Sequence, residues 1–247
     1  MNTTNIRYSR HLNLSAVGKE GQKKLKAAHI SIIGLGGLGT PASLYLASSG
    51  IGNMSIFDFD DVDETNLPRQ ILFRDDDVGH AKAKVAADRL RRINPKINCE
   101  AINKKFKKNN IEKYLDQSNI VLDCTDNFSS RWAINEICAQ KKISLISGAA
   151  IRFEGQLSVF RHDLGIGPCF RCLYEEADEN LNDCSGQGIL APVAGTIGCM
   201  MATEAIKLIL NIRSDLYGQL WTYDGISGQS RIIRIPVKDD CPICVKQ

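Results

Sequence analysis

The chain has 247 residues, 43% of them hydrophobic and 24% charged, which suits one large α/β domain and leaves little room for two. A formal net charge of +3 is too small to argue for nucleic acid or a membrane surface, partners that call for a strong basic excess. The ten Lys or Arg between residues 82 and 108, and the five acids between 175 and 183, read as solvated faces.

The opening MNTTNIRYSRHLNL has no apolar h-region and no small-residue cleavage site, so a cytoplasmic protein with a helical arm over residues 1–27 is expected. Residues 28–33 form a β-branched apolar run ended by glycines, which predicts a strand, and the Ala-rich stretch 40–49 before Gly50 predicts a helix. A second strand fits 54–57. A helix fits 81–94, with Ala86, Leu90 and Ile93 on one face and Pro95 beyond its end. Strands follow at 97–102, 120–123 and 144–147, with a helix at 129–140. Such alternation implies a Rossmann-like, mostly parallel sheet flanked by helices over residues 28–150. Beyond Gly148 the pattern becomes a strand at 156–160, a polar loop through Gly188, a helix to about Leu210, and strands near Leu220 and Ile233. That is an antiparallel C-terminal half, 151–247, of a single domain without internal repeats. The uncharged stretch 184–203 could cross a bilayer by length, but Gly186, Gly188, Pro192, Gly195 and Gly198 interrupt it, so a loop and a buried helix are expected instead of a membrane span.

Gly34-Leu-Gly-Gly-Leu-Gly39 matches G-x-G-x-x-G directly between a strand and a helix, where glycines admit a phosphate to the backbone and to the positive end of the helix. Asp58, 24 residues after Gly34, closes the second strand where a carboxylate can accept from ribose hydroxyls. These residues say nucleotide, and an NAD-dependent oxidoreductase fits them equally well. The long polar segment 59–70 replaces the short connection expected before a crossover helix. In it Asn66 and Arg69 can offer an amide and a cationic fork to phosphate oxygens, and Lys82 in the next helix's first turn can add a point charge, while each of the three taken singly also reads as an ordinary solvated group of a surface loop. The fourth strand ends in Asp123-Cys-Thr-Asp-Asn127 at the carboxyl edge of the sheet. Asp126 is the Mg²⁺ candidate there; Asp123 is buried in the strand end or shapes the loop, and Asp126 or Asn127 caps the helix that follows.

Cys169-Phe-Arg-Cys172 and Cys241-Pro-Ile-Cys244 are two C-x-x-C knuckles, and four thiolates from two such turns suit a structural, tetrahedral Zn²⁺. A redox dithiol is the competing reading, but neither pair opens a helix after a strand. Cys184 stands alone in the acidic loop, where a thiol of lowered pKa can attack an activated carboxyl and an ordinary one does nothing. Cys99, Cys124, Cys138 and Cys199 read as small core residues.

RYSRH at Arg7, GLGGLG at Gly34, DFDDV at Asp58, TNLPRQ at Thr65, VGHAK ending at Lys82, LDCTDN ending at Asn127 and SGAAIRFEGQ at Ser147 occur in this order over nearly the whole chain. Together they resemble the MoeB/ThiF adenylyltransferases (HesA/MoeB/ThiF), which are similar to the adenylation core of ubiquitin-activating enzymes. The resemblance implies ATP contacts from Gly37, Asp58, Thr65, Asn66, Leu67, Pro68, Arg69, Lys82, Asp126 and Asn127. It also implies a homodimer in which Arg10 enters the neighbouring subunit's site, and a zinc site at the four knuckle cysteines. The implied reaction is adenylation, with release of pyrophosphate, of the C-terminal carboxylate of a ubiquitin-like sulfur-carrier protein ending in diglycine. A sulfurtransferase or cysteine desulfurase is a further expected partner. In the thiamin branch the cysteine matching Cys184 is linked covalently to the carrier, and in the molybdopterin branch adenylation suffices. SGAAIRFEGQ leans to the molybdopterin enzymes and GTPASLYLA to the thiamin ones. A scaffold that binds a carrier without catalysis keeps the same fold and zinc.

Overall fold

The computed structural model describes residues 6–105, 112–165, 167–174 and 188–244. Two short helices, α1 (Ser9–Leu12) and α2 (Gly18–Ala27), precede β1 (His29–Ile33), α3 (Gly39–Ser49), β2 (Asn53–Phe57) and α4 (Lys82–Ile93). The chain continues through β3 (Asn98–Ile102), β4 (Ile120–Asp123), α5 (Phe128–Lys141), β5 (Ser144–Ile151) and β6 (Glu154–Phe160). It ends with α6 (Phe170–Leu173), α7 (Ala191–Leu210), β7 (Gln219–Asp224) and β8 (Gln229–Arg234).

All eight strands join one sheet in the order β3-β2-β1-β4-β5-β6-β7-β8. The first five are parallel and the last three antiparallel. Chain order reverses between β1 and β4, so the connections from these neighbours leave on opposite sides and open a crevice at their carboxyl ends. Two apolar layers cover the sheet. Ile30, Ile32, Met54, Ile56 and Leu122 pack on one side with Leu46, Ala86 and Ile197 from α3, α4 and α7. Ile33, Phe57, Val121 and Leu145 pack on the other with Ile134 and Ile137 of α5 and with both cysteine knuckles.

β5 runs four residues beyond the expected 144–147. Its parallel pairing with β4 stops at Asp123↔Ser147, but Gly148 to Ile151 keep pairing antiparallel with β6, to Ile151↔Glu154. An isolated apolar run cannot reveal a partner strand supplied later in the chain. Helix α7 has the length and apolarity of a membrane span, yet half of its apolar window is buried and it packs on α3, β5 and β6. Cys99, Cys124 and Cys138 are buried as expected, whereas Cys199 on α7 is only half-buried, because α7 turns its other face to the core.

The N-terminal arm is pinned at the edge opposite the crevice. Tyr8 is buried; its hydroxyl accepts from Asn94 Nδ2 at 2.8 Å, just past the end of α4, and the tight turn at Gly50, φ 85°, lies directly against it. Gln22 Nε2 reaches the Ser49 carbonyl at 2.9 Å, so α2 holds the same end of α3.

Candidate active site

The glycine loop is fixed by contacts that no side chain would permit. Gly34 has φ 94°, and a Cβ there would meet the Cys124 carbonyl oxygen at 2.8 Å, so the loops after β1 and β4 touch through their backbones. At Gly39 a Cβ would stand 1.9 Å from the Gly34 carbonyl oxygen, which folds the turn onto the first residue of α3. Gly39→Ala is therefore expected to cost about 1–3 kcal/mol by overpacking and to weaken ATP binding. A urea midpoint equal to the wild type would contradict this contact.

Asp58 faces the loop. Its Oδ2 accepts from the Leu35 amide at 2.7 Å and its Oδ1 from the Asp60 amide at 2.9 Å. Burial pushes its carboxyl above the usual carboxylate range, opposed by these two amides and by the Lys82 charge. The residue is half-buried directly after the end of β2, at the carboxyl edge of the sheet.

The segment after β2 closes over the glycine loop. A 3-10 turn at Glu64–Asn66 is capped reciprocally: Asp63 Oδ1 accepts from the Thr65 amide at 2.8 Å, and Asn66 Oδ1 accepts from the Asp63 amide at 3.3 Å. These bonds use the amide oxygen of Asn66, and its Nδ2 is the half that an anion would engage. Arg69 Nη1 donates to the Thr65 carbonyl at 2.9 Å, and the Arg69 Cγ lies 3.6 Å from the Cβ position of Gly37. Arg69 thus stands against the glycine loop, with Leu67 half-buried and Thr65 and Pro68 exposed. Lys82 begins α4 and is 6% exposed, with Nζ 3.4 Å from Asp60 Oδ2.

On the far side of the crevice, Asp123 is buried and shapes the loop after β4. Its Oδ1 accepts from Thr125 Oγ1 at 2.7 Å and the Thr125 amide at 3.1 Å, and its Oδ2 accepts from Ser147 Oγ at 3.0 Å. Arg131, buried one turn into α5, donates to the Thr125 carbonyl from behind. Asn127 caps α5, its Oδ1 accepting from the Ser130 amide at 2.9 Å. Asp126 is left exposed at the tip of the loop, where a carboxylate can bind a cation.

Asp58 and Arg69 therefore both touch the glycine loop, Lys82 is joined to Asp58 through Asp60, and the Asp126-Asn127 loop adjoins the same loop through the Gly34–Cys124 contact. Arg10 is not brought there. It is exposed two residues after Tyr8, which is anchored beyond the distal end of α3, a helix about 16 Å long. Cys184 lies outside the described residues. Asp60, Arg131 and Ser147 are contributors that motif reading did not single out. Asp60 had a signal, a second acid two residues after the strand-ending one.

The four knuckle sulfurs lie within 4.8 Å of one another on Cys169, Cys172, Cys241 and Cys244. Cys169 and Cys241 approach to 3.7 Å, and Cys172 and Cys244 to 3.6 Å. Four sulfurs at about 2.3 Å from a central Zn²⁺ have tetrahedral edges of about 3.8 Å, whereas a disulfide needs about 2.05 Å. The crowded sulfurs share protons unequally: their mutual hydrogen bonds pull the Cys172 thiol below its usual range and push those of Cys169 and Cys244 above theirs. The cluster can bind a metal ion.

A profile of the ThiF family matches residues 8–243. The chain is 44% identical over 231 residues to the molybdopterin-synthase adenylyltransferase of Haemophilus influenzae, covering 94% of this chain and 95% of that protein. It is 40% identical over 240 residues to the SAMP-activating enzyme E1 of Haloferax volcanii, covering 96% and 88%. The crystal structure of E. coli MccB with AMPCPP and MccA superposes with a TM-score of 0.85 at 26% identity, over 98% of this chain and 75% of that one. A match of this extent, on a sheet whose switch point gathers the glycine loop, Asp58, Arg69 and Lys82, has one meaning: the chain belongs to the ThiF family.

Proposed function

We propose that the chain is an adenylyltransferase that uses ATP to convert the C-terminal carboxylate of a ubiquitin-like sulfur-carrier protein to an acyl adenylate, releasing pyrophosphate. The observation that carries this reading is the continuous path from the Leu35 amide through Asp58 and Asp60 to Lys82, with Arg69 over Gly37 beside it. It leads from a half-buried acid beside the glycine loop to two cations, an order that suits a ribose followed by a polyphosphate. The relatives' names point the same way, since proteins at 44% and 40% identity are an adenylyltransferase and an activating enzyme.

In the proposed mechanism Asp58 accepts from the ribose hydroxyls, and the amides of the glycine loop and of the start of α3 face the phosphates. The carrier's carboxylate oxygen attacks the α-phosphorus in line, the bond to the bridging oxygen breaks, and the electron pair leaves with pyrophosphate. Arg69, Lys82 and Arg10 of the partner subunit offset the charge that develops, so positioning and electrostatics supply the catalysis. The placement of Arg10 at the edge opposite its own chain's crevice supports its acting across a homodimer. Asp126 is the proposed Mg²⁺ ligand, with Thr65, Asn66, Leu67, Pro68 and Asn127 completing the nucleotide's surroundings. Bound Mg²⁺ supplies neutralisation of the polyphosphate charge. Cys169, Cys172, Cys241 and Cys244 hold a structural Zn²⁺, four thiolates leaving no open position for substrate. We take the whole chain as one adenylation domain working in the cytoplasm, with the nucleotide half at 28–150 and the antiparallel, zinc-binding half at 151–247.

The test is to incubate the protein with ATP, Mg²⁺ and each of the MoaD-, ThiS- and SAMP-type carriers, and to look by mass for the carrier plus AMP. Formation of that product with one carrier fixes reaction and partner together, in molybdopterin, thiamin or another sulfur pathway. Absence of product and of pyrophosphate–ATP exchange with all of them would favour a scaffold. A covalent carrier adduct lost in Cys184→Ser would assign that thiol. An oxidoreductase leaves Arg69, Lys82 and Asp126 without a task, and is set aside.

A further inference from the structure

Asp60 ties the two ends of the crevice together. Its amide donates to Asp58 Oδ1 at 2.9 Å, its carbonyl accepts from the Lys82 amide at 3.0 Å, and its Oδ2 lies 3.4 Å from Lys82 Nζ. The two partners sit in unlike surroundings. The lysine side chain is 7% exposed and the aspartate side chain 52%, so the cation is held inside the fold and its counter-charge at the water boundary. A buried ammonium needs a partner, and a half-exposed carboxylate can surrender one cheaply because water takes over its solvation.

A polyphosphate approaching Lys82 meets Asp60 as a competitor of the same sign. The nucleotide must displace that carboxylate to pair with the lysine, and the carboxylate can return when the anion leaves. We propose that Asp60 is a displaceable counter-ion of Lys82, a positioning residue that loosens the hold on pyrophosphate after the α–β bond has broken. The inference rests on the reading of Lys82 as a polyphosphate contact. It assigns Asp60 a part in product release, distinct from the ribose role of Asp58 and the metal role of Asp126.

The experiment is calorimetric titration of Mg²⁺-pyrophosphate into the full chain and its Asp60→Asn and Asp60→Ala variants, with adenosine as an uncharged control. Both variants keep the backbone bonds to Asp58 and Lys82. Each should bind pyrophosphate about threefold to fivefold more tightly at low salt, the scale of one half-exposed ion pair. The gain should shrink as salt is added, since the competition is electrostatic, and adenosine binding should not change. Weaker or unchanged pyrophosphate binding by the variants, with binding intact in the wild type, would overturn the role of Asp60 alone. Tightening in Asp60→Asn but not in Asp60→Ala would also overturn it, by assigning the gain to the new amide donor. No pyrophosphate binding by the wild type, Mg²⁺ present, would overturn the adenylation reading beneath it.

Discussion

Lys82→Ala is expected to lower carrier-dependent exchange of labelled pyrophosphate into ATP by about 100- to 1,000-fold, the range for removing one preorganised electrostatic group from an active site. The size follows from where the charge sits. Lys82 is 6% exposed, fixed by the first turn of α4, and faces both Asp58 and Asp60. Removing it leaves two acids toward the polyphosphate with Arg69 as the remaining cation from this side of the crevice, so both the ground state and the developing charge lose their counter-ion. The loss should fall on both the KM for ATP and kcat, while adenosine binding, held by Asp58 and the glycine loop, should stay near the wild type. Lys82→Arg should not restore activity, since the buried site fits an ammonium stem and not a planar fork. Exchange at the wild-type rate in Lys82→Ala would remove Lys82 from the chemistry and with it the charge argument for this crevice.

Although Lys82 as a single residue also reads as a solvated surface charge until the fold buries it beside Asp60, its position in the first turn of α4 was legible from the helical pattern. The same holds for local features generally. The limits of β4 at Ile120–Asp123 follow from four apolar or strand-ending residues with no competing pattern, and Gly50 closes α3 where a positive φ is needed. Features that depend on a second segment were not legible. The extension of β5 to Ile151 is created by β6, and the brace of Asp123 by Ser147, 24 residues away, needs two strands in register. Arg131 reads as a helix-surface charge until the Thr125 carbonyl is placed behind it. Arg10 shows the opposite case: its motif marks it as functional, and its distance from its own chain's crevice arises only from the seating of Tyr8 against Gly50 and Asn94.

Cys241→Ser is expected to abolish stoichiometric zinc and to destabilise the protein by about 3–5 kcal/mol, comparable to removing one partner from a buried charged pair. For a chain of 247 residues this corresponds to a fall in Tm of about 10 °C. Cys169, Cys172 and Cys241 are buried, so the ion would sit within the apolar layer under α5, and its loss leaves crowded sulfurs with no common charge to hold them. The first knuckle is also tied to that helix: Asn135 Oδ1 accepts from the Phe170 amide at 3.0 Å and from His162 Nε2 at 3.2 Å. Helix α5 begins at the Asn127 cap, beside Asp126, so slackening the knuckle should be felt at the proposed Mg²⁺ ligand as a raised Mg²⁺ requirement for exchange. Wild-type protein should contain one zinc per chain by elemental analysis, and a strong chelator should lower its Tm toward that of Cys241→Ser. Protein purified without zinc and with the same Tm before and after chelation would show that the four sulfurs are held by packing alone, and the coupling to Asp126 would then have no source in the metal.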